Sequence, residues 1–358
     1  MAFLEFKNVR IAGIAAGVPR NVASNLHPDT NDGLSSEYSP EDFVKVTGVQ
    51  ERRVTDSLCT SDLCYEAAEC LIADLHWDKK EIEAIVFVSQ TADYVLPCTA
   101  CILQYRLGLS KECYAADCTL GCSGWVYGLS HIVSLLGAGT IKKALLMCGD
   151  AKKRVPGPRD PLFGAAGTVT AVEYNENGNS IRFHLGTDGS GYDAIITPDG
   201  GSRNQTTEKS FIPEIIDGKT LIRLQSRMKG MDVFSFGIST APKSVKKLSE
   251  HYGFDYLQAD YFVFHQANMK MNNMIVKKLK LDPSKVPSCM LHFGNTSSAS
   301  IPLTIVTELQ GSATKGRKKF ICCGFGVGLS WATASFETDG LVISDLVEVA
   351  EQTESIWI

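Results

Sequence analysis

The stretch Asp117-Cys-Thr-Leu-Gly-Cys122-Ser-Gly-Trp-Val-Tyr-Gly128 places a cysteine where a short hydrophobic strand turns into a helix. Residues 113–117 are expected to form a buried strand, and residues 123–136 a mostly buried helix. A thiol at a helix N-terminus faces unpaired N–H groups and the positive end of the helix dipole, which favour the thiolate. Cys122 is therefore a candidate nucleophile, while the alternative is one more small core residue.

Two further segments place a polar side chain after an apolar run. In Tyr261-Phe-Val-Phe-His265-Gln-Ala-Asn268 a strand-like stretch is followed directly by His265. In Leu291-His-Phe-Gly-Asn295-Thr-Ser-Ser, Asn295 stands in a polar loop that leads into a helix. Open α/β sheets usually build their sites at the carboxyl ends of strands, so these residues are candidate partners of Cys122. A lone histidine is more often a core residue.

The composition favours a soluble globular enzyme. A chain of 358 residues, 44% hydrophobic and 21% charged, is long enough for two domains or two packed halves. No signal-peptide run occupies residues 1–7, and no stretch reaches the roughly 18–20 apolar residues of a membrane span. A net charge of −5 argues against a general nucleic-acid binder. We therefore expect a cytoplasmic protein that binds neither membranes nor nucleic acid.

The twelve cysteines lie mostly in apolar, regular segments, as core thiols in a reducing compartment do. Cys98-Thr-Ala-Cys101 has the spacing of metal ligands, but no second pair of this kind completes a zinc site. No metal site is expected.

The order of elements predicts a doubly wound α/β arrangement. Helices are expected over 61–75, capped by Ser61 or Asp62, from Pro97 to 107, over 228–251 with a kink near Pro242, and over 268–280. Strands are expected over 84–89, 144–149, 319–323 and 329–336. Because strands alternate with helices, the sheets are expected to be mainly parallel.

Over nearly its whole length the chain resembles the β-ketoacyl-acyl-carrier-protein synthase III family of the thiolase superfamily. The motifs that carry the resemblance are, in order, Thr47-Gly48-Val49 with Glu51-Arg52-Arg53, the Cys122 turn, Asp188-Gly189-Ser190-Gly191, His265-Gln-Ala-Asn268, Gly294-Asn295-Thr296-Ser297 and Gly324-Phe-Gly-Val-Gly328. Any one of them matches easily by chance, but six in order do not.

The resemblance implies a thiolase-like α/β fold, with two similar βαβ halves packed as five αβαβα layers. Polar turn formers around residue 178 place the boundary there, between a half at 1–178 that carries the nucleophilic Cys and a half at 179–358 that carries His and Asn. A C-terminal extension begins at about 337, and the sequence leaves open whether it is an edge strand, a dimer contact or a disordered tail. Trp357 is expected to be packed.

By the same resemblance, Cys122, His265 and Asn295 form a Cys-His-Asn triad. Acyl-CoA acylates Cys122, and malonyl on acyl carrier protein then loses carbon dioxide and attacks the bound acyl group. His265 Nε2 and the Asn295 amide stabilise the developing oxyanion, while the backbone N–H groups of Cys122 and Val327 form a second oxyanion hole. No cofactor is required beyond these two substrates.

The resemblance also implies a homodimer with defined substrate and carrier surfaces. The substrate pocket is lined by Phe234, Asn268, Phe325 and Leu96, the last reaching from one subunit into the partner's acyl pocket. Three residues of the helix after His265 dock the acidic carrier protein, namely Lys270, Lys277 and Lys278.

Three departures from the family pattern leave alternatives open. The tryptophan that in the family precedes the Thr-Gly motif and stacks on the adenine of coenzyme A is absent, and Phe43 is the nearest substitute. Valine replaces glycine at position 327. The family's Phe-Gly-Asp-Gly-Ala-Gly motif is altered to Phe163-Gly-Ala-Ala-Gly-Thr168. One alternative is an acyltransferase of specialised metabolism that uses another acceptor or extender without decarboxylation. Another is a non-catalytic partner subunit, against which the complete triad weighs.

Overall fold

The computed structural model describes residues 2–29, 39–151, 155, 157–216 and 219–352. Its helices, in chain order, are α1 Pro40–Thr47, α2 Thr60–Asp74, α3 Thr99–Arg106, α4 Gly124–Gly137, α5 Gly230–Tyr252, α6 Met269–Leu279, α7 Met290–Phe293 and α8 Ser300–Ala313. Its strands are β1 Ala2–Phe6, β2 Val9–Pro19, β3 Val22–Ser24, β4 Glu51–Arg53, β5 Ala84–Val88, β6 Tyr114–Cys118, β7 Lys143–Asp150, β8 Ala166–Tyr174, β9 Ile181–Thr187, β10 Ile195–Ile196, β11 Glu214–Ile216, β12 Lys219–Leu221, β13 Arg227–Met228, β14 Tyr261–Phe264, β15 Lys318–Gly326, β16 Ser330–Thr338, β17 Val342–Ile343 and β18 Val347–Val349.

Two mixed sheets form the frame of the molecule. The first has the order β17-β2-β8-β7-β5-β6, with β18 also paired to β2, and the second has the order β1-β9-β16-β15-β14. Within the first, β5 runs parallel to β6 and β7, whereas β8 is antiparallel to both of its neighbours. The prediction of mainly parallel sheets is wrong, because short connections such as the turn between β15 and β16 return the chain antiparallel without a crossover helix.

Helices cover both sheets in five layers, as the resemblance implies. On β5, Ile85 and Phe87 face α2 and α3, while Val86 and Val88 point to the opposite side, against α4. The central layer of α4 and α8 packs between the two sheets, so Trp125 of α4 shares one core with Phe320 of the second sheet. On the outer face of the second sheet, α5 and α6 close a separate core. The continuous central core fixes the two sheets against each other.

The chain ends are exchanged between the sheets, because the first described strand joins the sheet of the second half and the last described strands join the sheet of the first half. The N-terminal strand β1 pairs with β9 in the second sheet, and the late strands β17 and β18 pair with β2 in the first. The predicted boundary near residue 178 falls between β8 and β9, which belong to different sheets. Of the alternatives for the extension, the structure has edge strands, β17 and β18, which pair with β2 in turn, whereas Trp357 lies outside the described residues.

Several predicted elements begin or pack differently from expectation. The cap of α2 is Cys59, whose backbone N–H donates to Asp62 Oδ2 at 2.8 Å, so neither Ser61 nor Asp62 is the N-cap. Helix α3 begins two residues after Pro97, and α5 continues through Pro242. The strand before Cys122 is half-exposed rather than buried, because β6 is the edge of the first sheet. None of the helices in the described ranges is long and apolar enough to span a bilayer.

Candidate active site

Cys122 lies in the tight turn between β6 and α4, two residues before the helix begins. The turn closes with a hydrogen bond from Gly124 N–H to the Gly121 carbonyl at 2.7 Å. A Cβ added at Gly121 would lie 2.3 Å from Gln90 Oε1, and one at Gly124 would lie 2.7 Å from Val88 Cγ1. Gly124 therefore packs the turn closely against the end of β5, whereas a larger residue at Gly121 would require the Gln90 side chain to move.

The thiol of Cys122 faces the glycine-rich end of β15. A Cβ added at Gly326 would lie 2.5 Å from Cys122 Cβ and 2.7 Å from its Sγ, so only glycine fits there. Burial raises the pKa of the Cys122 thiol to about 11, opposed by a hydrogen bond from the Val327 backbone N–H and reinforced by the charge of Asp150. The expectation that the helix N-terminus favours the thiolate is wrong for the free protein, because desolvation of the buried sulfur outweighs the nearby N–H groups.

His265 follows β14 and is 1% exposed. Its backbone N–H donates to the Cys323 carbonyl at 2.9 Å, and its ring packs edge-on against Phe325 with centroids 5.7 Å apart. Burial lowers the pKa of His265 to about 3, despite an opposing hydrogen bond to the Ser297 backbone. The imidazole is therefore neutral at neutral pH.

Ser300 sets the orientation of the His265 ring. The Ser300 hydroxyl oxygen lies 2.8 Å from His265 Nδ1 and accepts the Gln266 backbone N–H at 3.4 Å. The Ser300 hydroxyl can pair with Nδ1 in either direction, and in the tautomer in which it donates to Nδ1 the ring proton is on Nε2. This tautomer presents His265 as a hydrogen-bond donor.

Asn295 is held at both its backbone and its side chain. Its backbone N–H donates to the Leu162 carbonyl at 2.9 Å, and its own carbonyl accepts from Gly164 N–H at 3.1 Å. Its side-chain Oδ1 accepts the Ser297 N–H at 2.9 Å, which leaves the amide NH₂ as a donor. The apolar run before Asn295 is the one-turn helix α7, so the predicted polar loop, and not the end of a strand, positions this residue.

Ser297 links the three candidate residues. Its N–H holds Asn295, its backbone contacts His265, and it adopts a left-handed φ of 53° that non-glycine residues rarely populate. Its side chain also hydrogen-bonds the buried Asp150, which faces Cys122 closely enough to raise the pKa of that thiol. Ser297 therefore contacts both His265 and Asn295, and its partner Asp150 lies near Cys122.

Asp150 is a site residue that the sequence analysis missed. Its Oδ1 accepts from Ser89 Oγ at 3.0 Å, from Gln90 N–H at 2.7 Å and from Thr91 Oγ1 at 3.1 Å. Burial raises the pKa of Asp150, and these donors together with Ser297 oppose the rise. Asp150 lies at the end of β7, and a polar residue at the end of a strand is the same sequence signal that identified His265 as a candidate. Ser300, at the start of α8, carried no such signal.

Comparison with known proteins agrees with this geometry. Residues 116–189 and 250–338 match the models of 3-oxoacyl-[acyl-carrier-protein] synthase III and of its C-terminal domain. A β-ketoacyl-[acyl-carrier-protein] synthase III of Rhodopirellula baltica is 31% identical over 355 residues, which cover 92% of this chain and 98% of the relative. The chain belongs to the synthase III family. Its homologue from Clostridium acetobutylicum is also 31% identical, over 91% of this chain and 97% of the relative.

A crystal structure extends the likeness to three dimensions. The 3-oxoacyl-(acyl-carrier protein) synthase of Burkholderia xenovorans LB400 superimposes with a TM-score of 0.88 at 36% identity, covering 97% of this chain and 99% of that one. Membership of the synthase III family identifies the chain as an acyltransferase of the condensing type with a thiolase-like fold.

The four predicted pocket residues lie in different surroundings. Phe325 is buried against His265, and Phe234 is half-buried in the second turn of α5. Asn268 caps α6 by accepting the Met271 N–H at 2.8 Å, which explains an asparagine here by helix capping alone. Leu96 is 84% exposed and does not line an enclosed pocket within the single chain.

The three lysines of α6 are exposed and differ in their contacts. Lys270 Nζ lies 5.9 Å above the ring of Phe234, and Lys278 Nζ donates to the Ile238 carbonyl at 3.0 Å, so both lean toward α5. Lys277 lines a groove of about 350 Å³ beside residues 283–288. No cluster of three His, Cys, Asp or Glu side chains that suits a metal occurs among the described residues.

Proposed function

We propose that this enzyme makes a β-ketoacyl thioester by decarboxylative Claisen condensation, with Cys122 as the acyl carrier. The observation that carries the proposal is a neutral, buried His265 and an Asn295 amide that share Ser297 beside the Cys122 turn. Two uncharged donors suit an enolate oxygen, because they stabilise developing negative charge without protonating the carbon that must attack.

The first step is acylation of Cys122. The thiol adds to the acyl carbonyl of the donor thioester and loses its proton, the bond to the leaving thiolate breaks, and that thiolate takes up a proton. Because the pKa of Cys122 is about 11, the thiolate forms only during attack, aided by the Val327 N–H that already contacts the sulfur. The N–H groups of Cys122 and Val327 hold the oxyanion.

The second step uses the other two residues. Malonyl on the carrier protein loses carbon dioxide, and the electron pair of the broken bond moves into an enolate whose oxygen accepts from His265 Nε2 and the Asn295 amide. The enolate carbon attacks the acyl carbonyl, and Cys122 leaves as a thiolate that is reprotonated. Losing one such donor costs a factor of about 10²–10³ in rate. No resident cofactor enters either step.

Coenzyme A is the proposed carrier of the acyl donor. Phe43 lies on α1, and α1 ends at Gly48, where an added Cβ would lie 2.6 Å from Met269 Cβ at the start of α6. Helix α1 thus packs beside the start of α6, and Phe43 is the aromatic residue of α1 that we propose for contact with the adenine.

The acyl carrier protein is the proposed partner at α6. Its acidic surface suits Lys270 and Lys277, because Lys270 is exposed near Phe234 and Lys277 borders an open groove. Lys278 is proposed to contribute less, since its ammonium already binds the Ile238 carbonyl.

A homodimer is proposed from the exposed edge of the first sheet. Strand β6 has an unpaired side, and Tyr105 and Tyr114 near it are exposed. Val95 and Leu96 form an exposed apolar tip, which a second copy would cover. In the dimer, Leu96 would enter the partner's acyl pocket. Sedimentation-equilibrium analysis with Leu96→Asp tests this: a wild-type monomer at micromolar concentration would refute it.

The central experiment incubates the purified protein with a panel of acyl-CoA donors and malonyl-carrier protein. Mass spectrometry reads both the Cys122 peptide and the carrier product. We expect a donor-specific acyl adduct that disappears as a carrier extended by two carbons appears, with release of carbon dioxide. A persistent adduct would favour transfer to another acceptor without decarboxylation. No adduct with any donor would favour the non-catalytic alternative.

A charge-reversal experiment tests the docking surface. Lys270→Glu and Lys277→Glu are expected to raise the KM for malonyl-carrier protein while leaving the rate of Cys122 acylation by acyl-CoA unchanged. Lys315→Glu is the control, since Lys315 is an exposed lysine after α8, far along the chain from α6. An unchanged KM in both α6 variants would refute this docking surface.

A further inference from the structure

The acylation step requires a group that accepts the proton of Cys122. In the tautomer that donates from Nε2, His265 carries its ring proton on that nitrogen, and its Nδ1 pairs with Ser300. Neither ring nitrogen is then free to take up a second proton. Asp150 is another titratable group beside the thiol, since its negative charge raises the pKa of Cys122. The steps described above leave this carboxyl group unused.

Hydrogen bonds hold Asp150 close to the turn that carries Cys122. The Gln90 N–H donates to Asp150 Oδ1 at 2.7 Å, and the Gln90 side-chain oxygen leaves no room for a Cβ at Gly121, the residue before Cys122. The Ser297 side chain also hydrogen-bonds Asp150, from the loop that precedes α8. The carboxyl group is therefore joined both to the strand end under the Cys122 turn and to the loop of the oxyanion donors.

The two oxygen atoms of Asp150 differ in their surroundings. Oδ1 accepts hydrogen bonds from Ser89 Oγ, Gln90 N–H and Thr91 Oγ1. Although part of the residue is exposed, Oδ2 is shielded from solvent and receives none of these three bonds. The donors stabilise the ionised carboxyl, whereas burial raises its pKa and so brings it nearer to that of the thiol. An ionised group of raised pKa suits proton transfer, and Oδ2 is the oxygen left to accept the proton.

We propose that Asp150 accepts the Cys122 proton during acylation. The proposal rests on the acylation step of the proposed condensation. As the Cys122 sulfur bonds to the acyl carbon, its S–H bond breaks and the proton moves to Asp150 Oδ2. When the carbonyl re-forms, the bond from the acyl carbon to the donor sulfur breaks, and Asp150 returns the proton to that sulfur. The carboxylate is thereby regenerated, and the donor leaves as a neutral thiol.

The local charge favours a transfer within the site. If the Cys122 proton were lost to solvent, the thiolate and the Asp150 carboxylate would place two negative charges beside each other. Transfer to Asp150 leaves a single negative charge, because the carboxyl is neutral while the sulfur is charged. The repulsion that raises the pKa of the thiol in the resting protein is thus removed as the sulfur attacks.

The test compares two reactions of Cys122 in the full-length wild type and in Asp150→Asn. Single-turnover acylation, by the acyl-CoA that acylates the wild type fastest, is read from the mass of the Cys122 peptide. We expect the variant to acylate at least about 10²-fold more slowly, because a positioned base typically contributes 10²–10⁴-fold. Alkylation by iodoacetamide at pH 8 should instead become faster, since it depends on the thiolate present at equilibrium and the variant lacks the nearby negative charge. A purely structural loss would slow both reactions.

Asp78→Asn is the matched control. Asp78 is exposed and accepts the Lys80 N–H at 2.9 Å before β5 begins, at the opposite end of that strand from Ser89. Its variant should keep both wild-type rates.

Three outcomes would overturn the proposal. Acylation of Asp150→Asn within threefold of the wild type would show that another group takes the proton, and a loss of acylation in His265→Gln alone would identify that group as His265. A fall in both rates of Asp150→Asn would assign Asp150 a structural role only. Failure of the wild type to form an adduct with any donor would instead refute the acylation step itself, and this inference with it.

Discussion

A methyl group at position 326 is the sharpest test of how Cys122 is held. Gly326→Ala would place a carbon 2.5 Å from Cys122 Cβ and 2.7 Å from its Sγ, whereas ordinary contact begins at 3.4 Å. The two carbons must therefore separate by about 0.9 Å. Neither partner yields easily, because Gly326 ends β15 in the second sheet and the Cys122 turn is pinned by the close contacts of Gly121 and Gly124.

The displacement sets the size of the expected effect. Since a misplacement of about 1 Å of a reacting atom costs roughly 10²-fold in rate, Cys122 acylation should slow by about two orders of magnitude. Crowding of this kind also lowers the free energy of unfolding by about 1–3 kcal/mol. The native fold should nevertheless persist, because the added atom is small.

Single-turnover acylation, followed by the mass of the Cys122 peptide, is the appropriate assay, with urea unfolding measured in parallel. Gly311→Ala is the matched control: it lies inside α8 with nothing within 4 Å of the added Cβ, so it should leave acylation unchanged and stabilise the helix by about 0.5–1 kcal/mol. If Gly326→Ala acylates within threefold of wild type, the contact does not position the nucleophile.

Three further predictions concern the donors and the thiol. Ser300→Ala should slow condensation roughly three- to tenfold, which corresponds to the free energy of one hydrogen bond, and should leave the acylation rate unchanged. An equal loss of rate in both steps would contradict the role of Ser300 in orienting His265. Because the pKa of His265 falls from 6.5 to about 3 on folding, the unfolded chain binds the extra proton between these values. The free energy of unfolding should therefore decline as pH falls below 6.5, and this decline, measured by urea titrations, should be smaller in His265→Gln. The same pH dependence in the wild type and the variant would contradict the lowered pKa of His265. The rate of Cys122 alkylation by iodoacetamide should rise about tenfold per pH unit above pH 7, because the thiolate is the reactive form. Asp150→Asn should increase this rate at pH 8, since it removes a negative charge near the thiol. A rate that reaches a plateau near pH 8 would refute the raised pKa of the thiol.

Each of the three candidate residues sits beside a local signal in the sequence, and the resemblance to the family joins them into a triad. Cys122 stands between two glycines, His265 follows four strand residues, and Asn295 opens a polar loop before a helix. Asp150 was missed because a carboxylate after a strand is ordinary until its neighbours are known. Its importance comes from Ser89 and Thr91 on another strand's end, which no spacing in the chain reveals.

The thiolate prediction failed for a related reason. Helix position can be read from sequence, but desolvation depends on residues such as Gly326 that are far along the chain and pack against the sulfur. The same limit applies to β6: an apolar strand predicts burial, yet its place at the edge of the sheet is a property of strand order. The cap of α2 shifted to Cys59 because Asp62 closes a capping box from the third helical position, reversing the role expected of it.

The exchange of chain ends constrains how the protein is synthesised and folded. Strand β1 is synthesised before every other described strand, yet its partner β9 begins only at residue 181, and β2 gains β17 and β18 only once residue 349 has been made. The sheet that carries Cys122 cannot reach its final width during translation of its own half. A nascent chain stopped after β16 would leave one edge of β2 without its partners β17 and β18, so residues 342–349 determine when the sheet that carries Cys122 is complete.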